Sequence, residues 1–291
     1  MLDKLPVRGA VARMDDTVSE ALARAQLPDC VKNFVAQMAC ATALIAQRMA
    51  FDGTLILQIK GDGPLALAIA EVGPDLSVRA TASLTQDAVF TGGETFQELV
   101  NAHGKGLCAL FADSRTRRDG EPLYESVVAL EGEDISEALT GFLLQTNQVP
   151  TYLKVVGDAS HAGGIYLEEM PTEGGRKDGF IDDPDAFNRA SKFAQTLTAE
   201  ELKGLEPLEI IHRLFWEDDV RVFDPVRPRF LCRCSRQRFE NIIRMLGREE
   251  VDSIIRQEGK FSIRCQFCGR EETFSKEEIQ AVFDNKKPTV N

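Results

Sequence analysis

Four of the seven cysteines in this chain stand in two short clusters near its C-terminal end, in the stretches FLCRCSRQRF and RCQFCGREETF. The first cluster is a CxC, Cys232 and Cys234, and the second is a CxxC, Cys265 and Cys268. Two short pairs separated by thirty residues can supply four thiolates to one tetrahedral site, and zinc is the metal that such a set usually holds. The sequence therefore predicts one zinc ion bound by these four cysteines.

The spacing of the clusters also suggests what oxidation would do. A zinc ion on all four sulfurs joins the two clusters across the whole intervening segment, whereas a disulfide inside either pair closes a very short loop and removes little unfolded-state entropy. If the thiols pair within each cluster, the metal leaves and the two halves lose their link. The pattern predicts a metal clip that opens on oxidation. Nearby arginines favour the thiolates that oxidants attack; they are Arg233, Arg236, Arg238, Arg264 and Arg270.

The segment that carries the clusters has few large apolar side chains for its length of about 65 residues, so its core alone is expected to be marginal. Binding of a structural zinc contributes on the order of 10 to 16 kcal/mol in cysteine-rich sites. That is as much as the whole stability of a typical domain. Loss of the metal is therefore expected to unfold the segment.

Other candidates for chemistry are weaker. Three cysteines lie in apolar periodic runs and are predicted to be small core residues: Cys30, Cys40 and Cys108. The three histidines are scattered, without ligand spacing to the clusters: His103, His161 and His212. The stretches GDGP and HGKG match neither a P-loop nor a dinucleotide fingerprint. We find no catalytic constellation, so the protein is not expected to be an enzyme.

Charge and hydropathy limit the partners. The net charge of −12 at pH 7 is uneven, because the chain from residue 225 onward carries 14 Lys and Arg against 10 Asp and Glu. A general nucleic-acid binder would not be acidic overall, although a small basic module can contact phosphates. The start of the chain lacks a secretory h-region, and the run FVAQMACATALIAQRMAF is too short and too polar to span a membrane. We expect a cytoplasmic protein with reduced thiols and no membrane partner.

The pattern along the chain predicts an α+β fold with an N-terminal domain over residues 1–170. Helices are expected from Thr17 to Leu27 and from Val31 to Ala50, followed by a meander of three strands, TLILQIKG, PLALAIAEV and LSVRATASL. Two more strands follow in GLCALFAD and YESVVALEG. The helix DISEALTGFLLQTNQ and the strands TYLKVVGD and GGIYLEEM complete the domain.

A charged segment and a compact module follow. Residues 171–226 are predicted to be a metastable helical linker, with helices in AFNRASKFAQTL and PLEIIHRLFW. From Glu168 to Asp224 there are 15 acidic and 7 basic residues, and the narrow apolar faces suggest marginal folding. Residues 227–291 are predicted to be the C-terminal zinc module, with a helix capped by Ser235, a hairpin around the CxxC and a Ser275–Glu278 capping box.

Several stretches of the chain resemble a known family, the thirty-three-kilodalton heat-shock proteins, which are redox-regulated bacterial chaperones. The resemblance lies in LFWEDDVRVFDPVRPRFLCRCSRQRF and GREEVDSIIRQEGKFSIRCQFCG, and upstream in GDGPL, LLQTNQVPTYL and AGGIYLEEMP. It extends over essentially the whole chain, and the two cysteine clusters in their context are its most specific part.

The resemblance implies an ATP-independent holdase that is idle while reduced and zinc-bound. Oxidation would pair Cys232 with Cys234 and Cys265 with Cys268, expel zinc and unfold the module and the linker. The apolar surface so exposed would bind unfolding client proteins, with a homodimer as the active form. Client binding and dimerisation come from the resemblance alone.

Two other hypotheses remain open at this stage. The alternative function is a zinc-ribbon regulator that binds nucleic acid, which the basic C-terminal module favours and the scarcity of stacking aromatics disfavours. Salt-sensitive binding of DNA or RNA by the reduced protein would support it. The other is a thiol oxidoreductase that uses Cys265 and Cys268, although no thioredoxin-like βαβ pattern surrounds this CxxC. Reduction of insulin would support that hypothesis.

Overall fold

The computed structural model describes residues 1–49, 52–114, 124–170 and 183–284. The chain divides into two compact units, Met1–Leu231 and Cys232–Asn291. No helix in the described ranges combines the length and apolarity that crossing a bilayer requires. The predicted borders at residues 170 and 226 remain predictions.

Strands and helices of the first unit give the predicted α+β class. In chain order they are β1 (Val7–Arg13), α1 (Asp15–Leu22), α2 (Asp29–Arg48), β2 (Gly53–Lys60), β3 (Leu65–Val72), β4 (Ser77–Leu84), α3 (Phe96–Val100), β5 (Leu107–Ser114), β6 (Tyr124–Ala129), α4 (Ile135–Asn147), β7 (Thr151–Gly157), β8 (Ala162–Glu169), α5 (Ala186–Gln195), α6 (Ala199–Gly204), α7 (Pro207–Leu214) and β9 (Arg229–Phe230).

Helix α2 forms the centre of this unit. It packs against a six-stranded sheet, order β6-β5-β2-β3-β4-β9, and against a three-stranded sheet, order β1-β8-β7. Every residue from Met38 to Ile45 is buried, which is typical of a helix that is apolar all round and enclosed by other elements. Leu55, Leu57 and Ile59 alternate along β2 and face the same core. The predicted meander β2-β3-β4 is confirmed.

The three-stranded sheet is buried on both faces. Along β8, Tyr166 belongs to the core around α2, whereas Ile165 and Leu167 belong to a second core. That second core includes the linker helices α5, α6 and α7, which contact this sheet. On α5 the residues that face it are small, Ala190 and Ala194 among them, so the helix lies close to the strands.

Polar contacts reinforce the linker. The Lys154 ammonium group donates to the carbonyl oxygens of Gln195 (3.3 Å) and Leu197, which terminate α5. Cations stabilise helix C-termini because unpaired carbonyls gather there. Two salt bridges add to this support: Lys203–Asp158 at 3.2 Å and Arg13–Glu206 at 2.9 Å.

The first residues of the chain pair with the end of the linker. The amide of Asp3 donates to the carbonyl of Asp219 at 2.7 Å, and the amide of Arg221 donates to the carbonyl of Met1 at 2.9 Å. Leu2 and Leu5 are buried in the same core as the linker helices. The linker therefore has more support than its narrow apolar faces indicated.

Glu168 is a second departure from the sequence pattern. In the sequence it is the first residue of the charged stretch that leads into the linker. In the structure it is buried, and its carboxylate accepts a hydrogen bond from the Tyr166 hydroxyl at 2.9 Å. The guanidinium groups of Arg8 and Arg48 also contact it. A buried carboxylate requires such partners, and these join β8 to β1 and α2.

The C-terminal unit contains short elements around a small core. They are α8 (Arg236–Leu246), α9 (Arg248–Glu258), β10 (Phe261–Arg264), β11 (Glu271–Phe274) and α10 (Lys276–Asp284). Ser235 caps α8 by accepting from the Arg238 amide at 3.3 Å, and Ser275 and Glu278 exchange the two bonds of a capping box. The antiparallel β10–β11 hairpin surrounds the CxxC. These predicted features are confirmed.

The sequence patterns missed four short elements: β1, α3, α6 and β9. The first helix runs from Asp15 to Leu22 rather than from Thr17 to Leu27, and the second begins at Asp29 rather than at Val31. Pro28 disfavours helical backbone at the residue before it, which keeps the two helices apart. Ala50, the predicted end of that helix, lies outside the described residues.

Gly163 on β8 generates a prediction about the linker. A Cβ atom at this position would overlap the carbonyl oxygen of Leu202 on α6. We expect Gly163→Ala to displace α6 and to destabilise this part of the unit by about 1 to 3 kcal/mol, as overpacking does. Amide hydrogen exchange in α6 should accelerate.

Gly141 on α4 provides the matched control, because nothing lies within 4 Å of a Cβ placed there. Gly141→Ala should stabilise α4 by roughly 0.5 to 1 kcal/mol. Exchange in α6 that is equal in both variants would contradict the close approach at Gly163.

Candidate metal centre

The four clustered cysteines meet at one point of the C-terminal unit. Their Sγ atoms all lie within 4.8 Å of one another. The Sγ atoms of Cys232 and Cys265 are 3.5 Å apart, and those of Cys234 and Cys268 are 3.4 Å apart. Among the described residues, this is the only group of three or more possible ligands that could hold a metal ion.

Backbone geometry explains how the CxxC presents its sulfurs. The Gly269 amide donates to the Cys265 carbonyl at 2.9 Å, and the Cys265 amide donates to the Arg270 carbonyl at 2.8 Å. Gly269 adopts φ +66°, a conformation that glycine accepts without steric cost. These bonds close a tight turn between β10 and β11, so both sulfurs of the pair lie on one side.

The CxC cluster is held by the start of α8. Cys234 immediately precedes the capping residue Ser235, and its side chain packs against the small core of the unit together with that of Cys265. The buried members of this core come from all five elements: Phe239, Ile243, Val251, Phe261, Phe274, Ile279 and Val282. The core therefore joins the two cysteine clusters independently of the metal.

Two of the four thiols resist ionisation. Burial raises the pKa of Cys232 above its ordinary value, and it raises the pKa of Cys234 to about 11, with added hydrogen bonding from the Cys268 thiol. Burial also opposes ionisation of Cys265, but backbone amides of Cys268 and Phe267 outweigh it and lower the pKa of that thiol. Four thiolates in this space need a cation among them.

Two of the neighbouring arginines have carboxylate partners. Arg236 donates to Glu272 at 2.8 Å, pairs with Glu278, and lies over the Phe274 ring at 4.7 Å. Arg270 shares the Glu272 carboxylate. Arg236 thereby connects the start of α8, next to the CxC, to β11 and α10, a role that the sequence did not reveal.

The remaining cysteines lie elsewhere, as predicted. Cys40 and Cys108 are buried in the core of the first unit, and burial raises the pKa of each to about 12. Cys30 packs at the edge of that core, and burial followed by the contact with Glu94 raises its pKa. Their thiols therefore remain protonated at neutral pH.

Comparison with known proteins agrees with this geometry. The family model described as Hsp33 protein matches residues 1–275. This chain belongs to the Hsp33 family. A protein of Chromobacterium violaceum named 33 kDa chaperonin is 35% identical over 98% of this chain and 92% of its own length. A Methylobacillus flagellatus protein of the same name is 33% identical over 97% of this chain and 92% of its own length.

A solved structure shows the same fold. The crystal structure of the 33 kDa chaperonin, an Hsp33 homologue, from Thermotoga maritima superposes with a TM-score of 0.77. It covers 97% of this chain and 94% of its own, at 21% identity. The family resemblance that the two cysteine clusters indicated is confirmed.

The cluster geometry generates a prediction about metal binding. Cys232→Ser and Cys268→Ser each replace a thiolate by a hydroxyl that stays protonated at neutral pH, so each variant should bind metal much more weakly than the parent. Metal content after equilibration with a competing chelator measures the difference.

A variant with Cys30, Cys40 and Cys108 all replaced by alanine is the control. It should retain the parent's metal content, although lost packing at the two buried positions lowers its stability. Full metal in both serine variants, or loss in the control, would contradict the four-sulfur site.

Proposed function

We propose that this protein is a redox-regulated, ATP-independent holdase whose reduced form is held inactive by one zinc ion. The observation that carries the proposal is the meeting of two sequence-distant cysteine clusters within 4.8 Å. Membership of the Hsp33 family and the chaperonin names of the relatives support the chaperone activity.

Zinc fits the four sulfurs. Tetrahedral coordination at a Zn–S distance of about 2.3 Å places sulfurs ~3.8 Å apart. The pairs at 3.5 Å and 3.4 Å are close to that separation. Zinc would supply positive charge for the thiolates and a link between the clusters, and the chain contributes Cys232, Cys234, Cys265 and Cys268 as ligands.

Oxidation removes the ligands. We propose that Cys232 pairs with Cys234 and Cys265 with Cys268, as the family resemblance implies. Each disulfide forms as two thiolates lose two electrons to an oxidant; with hydrogen peroxide as that oxidant, one peroxide and two protons give two water molecules. Disulfide sulfurs are poor zinc ligands, so the metal leaves.

Which cysteines form disulfides with each other determines whether the C-terminal unit unfolds. The reduced geometry places each CxC sulfur next to a CxxC sulfur, so proximity alone does not select the partners. Bonds across the clusters, such as Cys232 to Cys265, would keep the two halves joined and preserve the fold. Bonds within the clusters would leave only the small core and the Arg236 contacts.

Unfolding of the C-terminal unit then affects the linker by chain connectivity. Phe230 on β9 is two residues before Cys232, and residues 171–226 lead into it. Once the chain that follows the linker helices is no longer anchored in a folded unit, we propose that these helices leave the β1-β8-β7 face. The apolar surface so uncovered binds unfolding proteins, and the active form is a homodimer in the cytoplasm.

One experiment tests the proposal on a single preparation. Reduced protein should contain one zinc and leave a heat-denatured client to aggregate. After mild oxidation, the zinc should appear in solution and aggregation should be suppressed. Peptide mapping should find both disulfides within the clusters.

Two results would count against the mechanism. Disulfides across the clusters would show that oxidation closes the module instead of opening it. Equal suppression of aggregation by the reduced, zinc-loaded protein would show that the metal does not control activity.

A further inference from the structure

Strand β9 occupies one edge of the six-stranded sheet. It consists of Arg229 and Phe230 alone and pairs in parallel with Ser77 and Val78 on β4. The Arg229 amide donates to the Leu76 carbonyl at 3.1 Å, and the Leu231 amide donates to the Val78 carbonyl at 3.0 Å. The chain thus fills its own sheet edge just before the first zinc-binding cysteine.

Strand β9 packs against α1 as well as β4, but few polar interactions hold it. Besides the backbone bonds, the Thr17 hydroxyl donates to the Pro228 carbonyl at 3.0 Å, and Arg229 pairs with Asp75. Both side-chain contacts are polar, and the ion pair is exposed, so it adds little. Phe230 contributes a half-buried ring. A two-residue strand held in this way depends on the fixed position of the chain on either side.

Chain position gives β9 a direct connection to the redox centre. Leu231 donates the last bond to β4, and the next residue in the chain is Cys232. When the segment after Leu231 unfolds, nothing beyond it fixes this end of β9. Release of β9 exposes carbonyl groups at a sheet edge, and such an edge pairs readily with another strand.

We propose that oxidation vacates the β4 edge and that extended segments of unfolding proteins replace β9 there. Strand β9, which already occupies this edge, indicates what kind of segment binds there. It is extended, it bonds through its main chain, and it contributes one apolar ring. Strand addition of this kind recognises the backbone of the incoming segment, so it tolerates the varied sequences of the unfolding proteins that a holdase binds. The inference rests on the proposed function.

Synthetic peptides test this occupancy on the full-length protein. A labelled peptide of residues 225–231, PVRPRFL, should bind the oxidised protein and not the reduced, zinc-loaded protein. N-methylation at Arg229 and Leu231 removes both donors to β4 and should weaken binding about thirtyfold, since each net hydrogen bond contributes about a factor of five.

The matched control is the peptide N-methylated at Phe230 alone. Alternate amides of a strand point in opposite directions, and in this pairing the Phe230 amide points away from β4. This peptide should bind within about threefold of the parent peptide. Equal loss in both N-methylated peptides, or equal binding to the reduced protein, would overturn the proposal.

Two protein variants test the same edge without oxidation. Arg229→Pro removes the amide donor to Leu76, so β9 should detach and the reduced protein should bind the peptide while keeping its zinc. Arg229→Ala keeps that amide and loses only the ion pair with Asp75, so it should behave as the parent does. If both variants exclude the peptide when reduced, β9 does not control the edge.

Competition with a client separates this inference from the proposed function. The parent peptide should displace an unfolded client from the oxidised protein, and the doubly N-methylated peptide should not. If the oxidised protein suppresses aggregation but neither peptide displaces the client, the edge is not the site and the holdase function stands. If it suppresses no aggregation, the proposed function fails first.

Dimers that dissociate on peptide addition, with client binding unchanged, would assign the edge to a second copy and overturn the proposal.

Discussion

Four ionised sulfurs cannot share the space between the two cysteine clusters without a cation. Like charges at these separations repel strongly in a partly buried site, and burial, which raises the pKa of Cys232 and of Cys234, adds a desolvation cost for the ionised sulfurs. With zinc present, the same repulsion is replaced by four metal bonds. The state of the sulfurs therefore determines whether the halves of the C-terminal unit are joined strongly or only by a small core and a few arginine contacts.

The need for a cation among the sulfurs affects the stability of the whole C-terminal unit, because this unit is small. A domain of about 60 residues rarely obtains more than 3 to 5 kcal/mol from its core, and the contribution of a structural zinc exceeds that. The first unit differs in kind, since α2 is enclosed by two sheets and its core needs no metal. We therefore propose that oxidation acts on the C-terminal unit and leaves the scaffold that carries the β1-β8-β7 face intact.

Local patterns in the sequence predicted much of this architecture. The clustering of the four cysteines, the caps at Ser235 and Ser275, the β10–β11 hairpin and the β2-β3-β4 meander are set by spacing and by residues close in sequence. The buried positions of Cys40 and Cys108 followed from apolar periodicity.

Contacts between distant residues could not be predicted in this way. Strand β1 forms because Val7 to Arg13 pair with β8, 150 or more residues later, and two-residue β9 has no periodicity to detect. The residues next to Gly163 in sequence do not indicate that the backbone of α6 approaches it closely. Those next to Glu168 do not indicate that its carboxylate is buried and paired with arginine. For the same reason the sequence did not reveal the contacts of the linker with Lys154 and with the first residues of the chain.

We propose that the metal centre controls the order of a linker that contains none of its ligands. Hydrogen exchange in α5 and α7, compared between the reduced, zinc-loaded protein and the oxidised protein, measures this most directly, with α2 as the internal reference. We expect faster exchange in α5 and α7 after oxidation and unchanged protection in α2. Unchanged protection of α5 and α7 while zinc leaves the protein would contradict it, and would show that the four cysteines form a local structural clip.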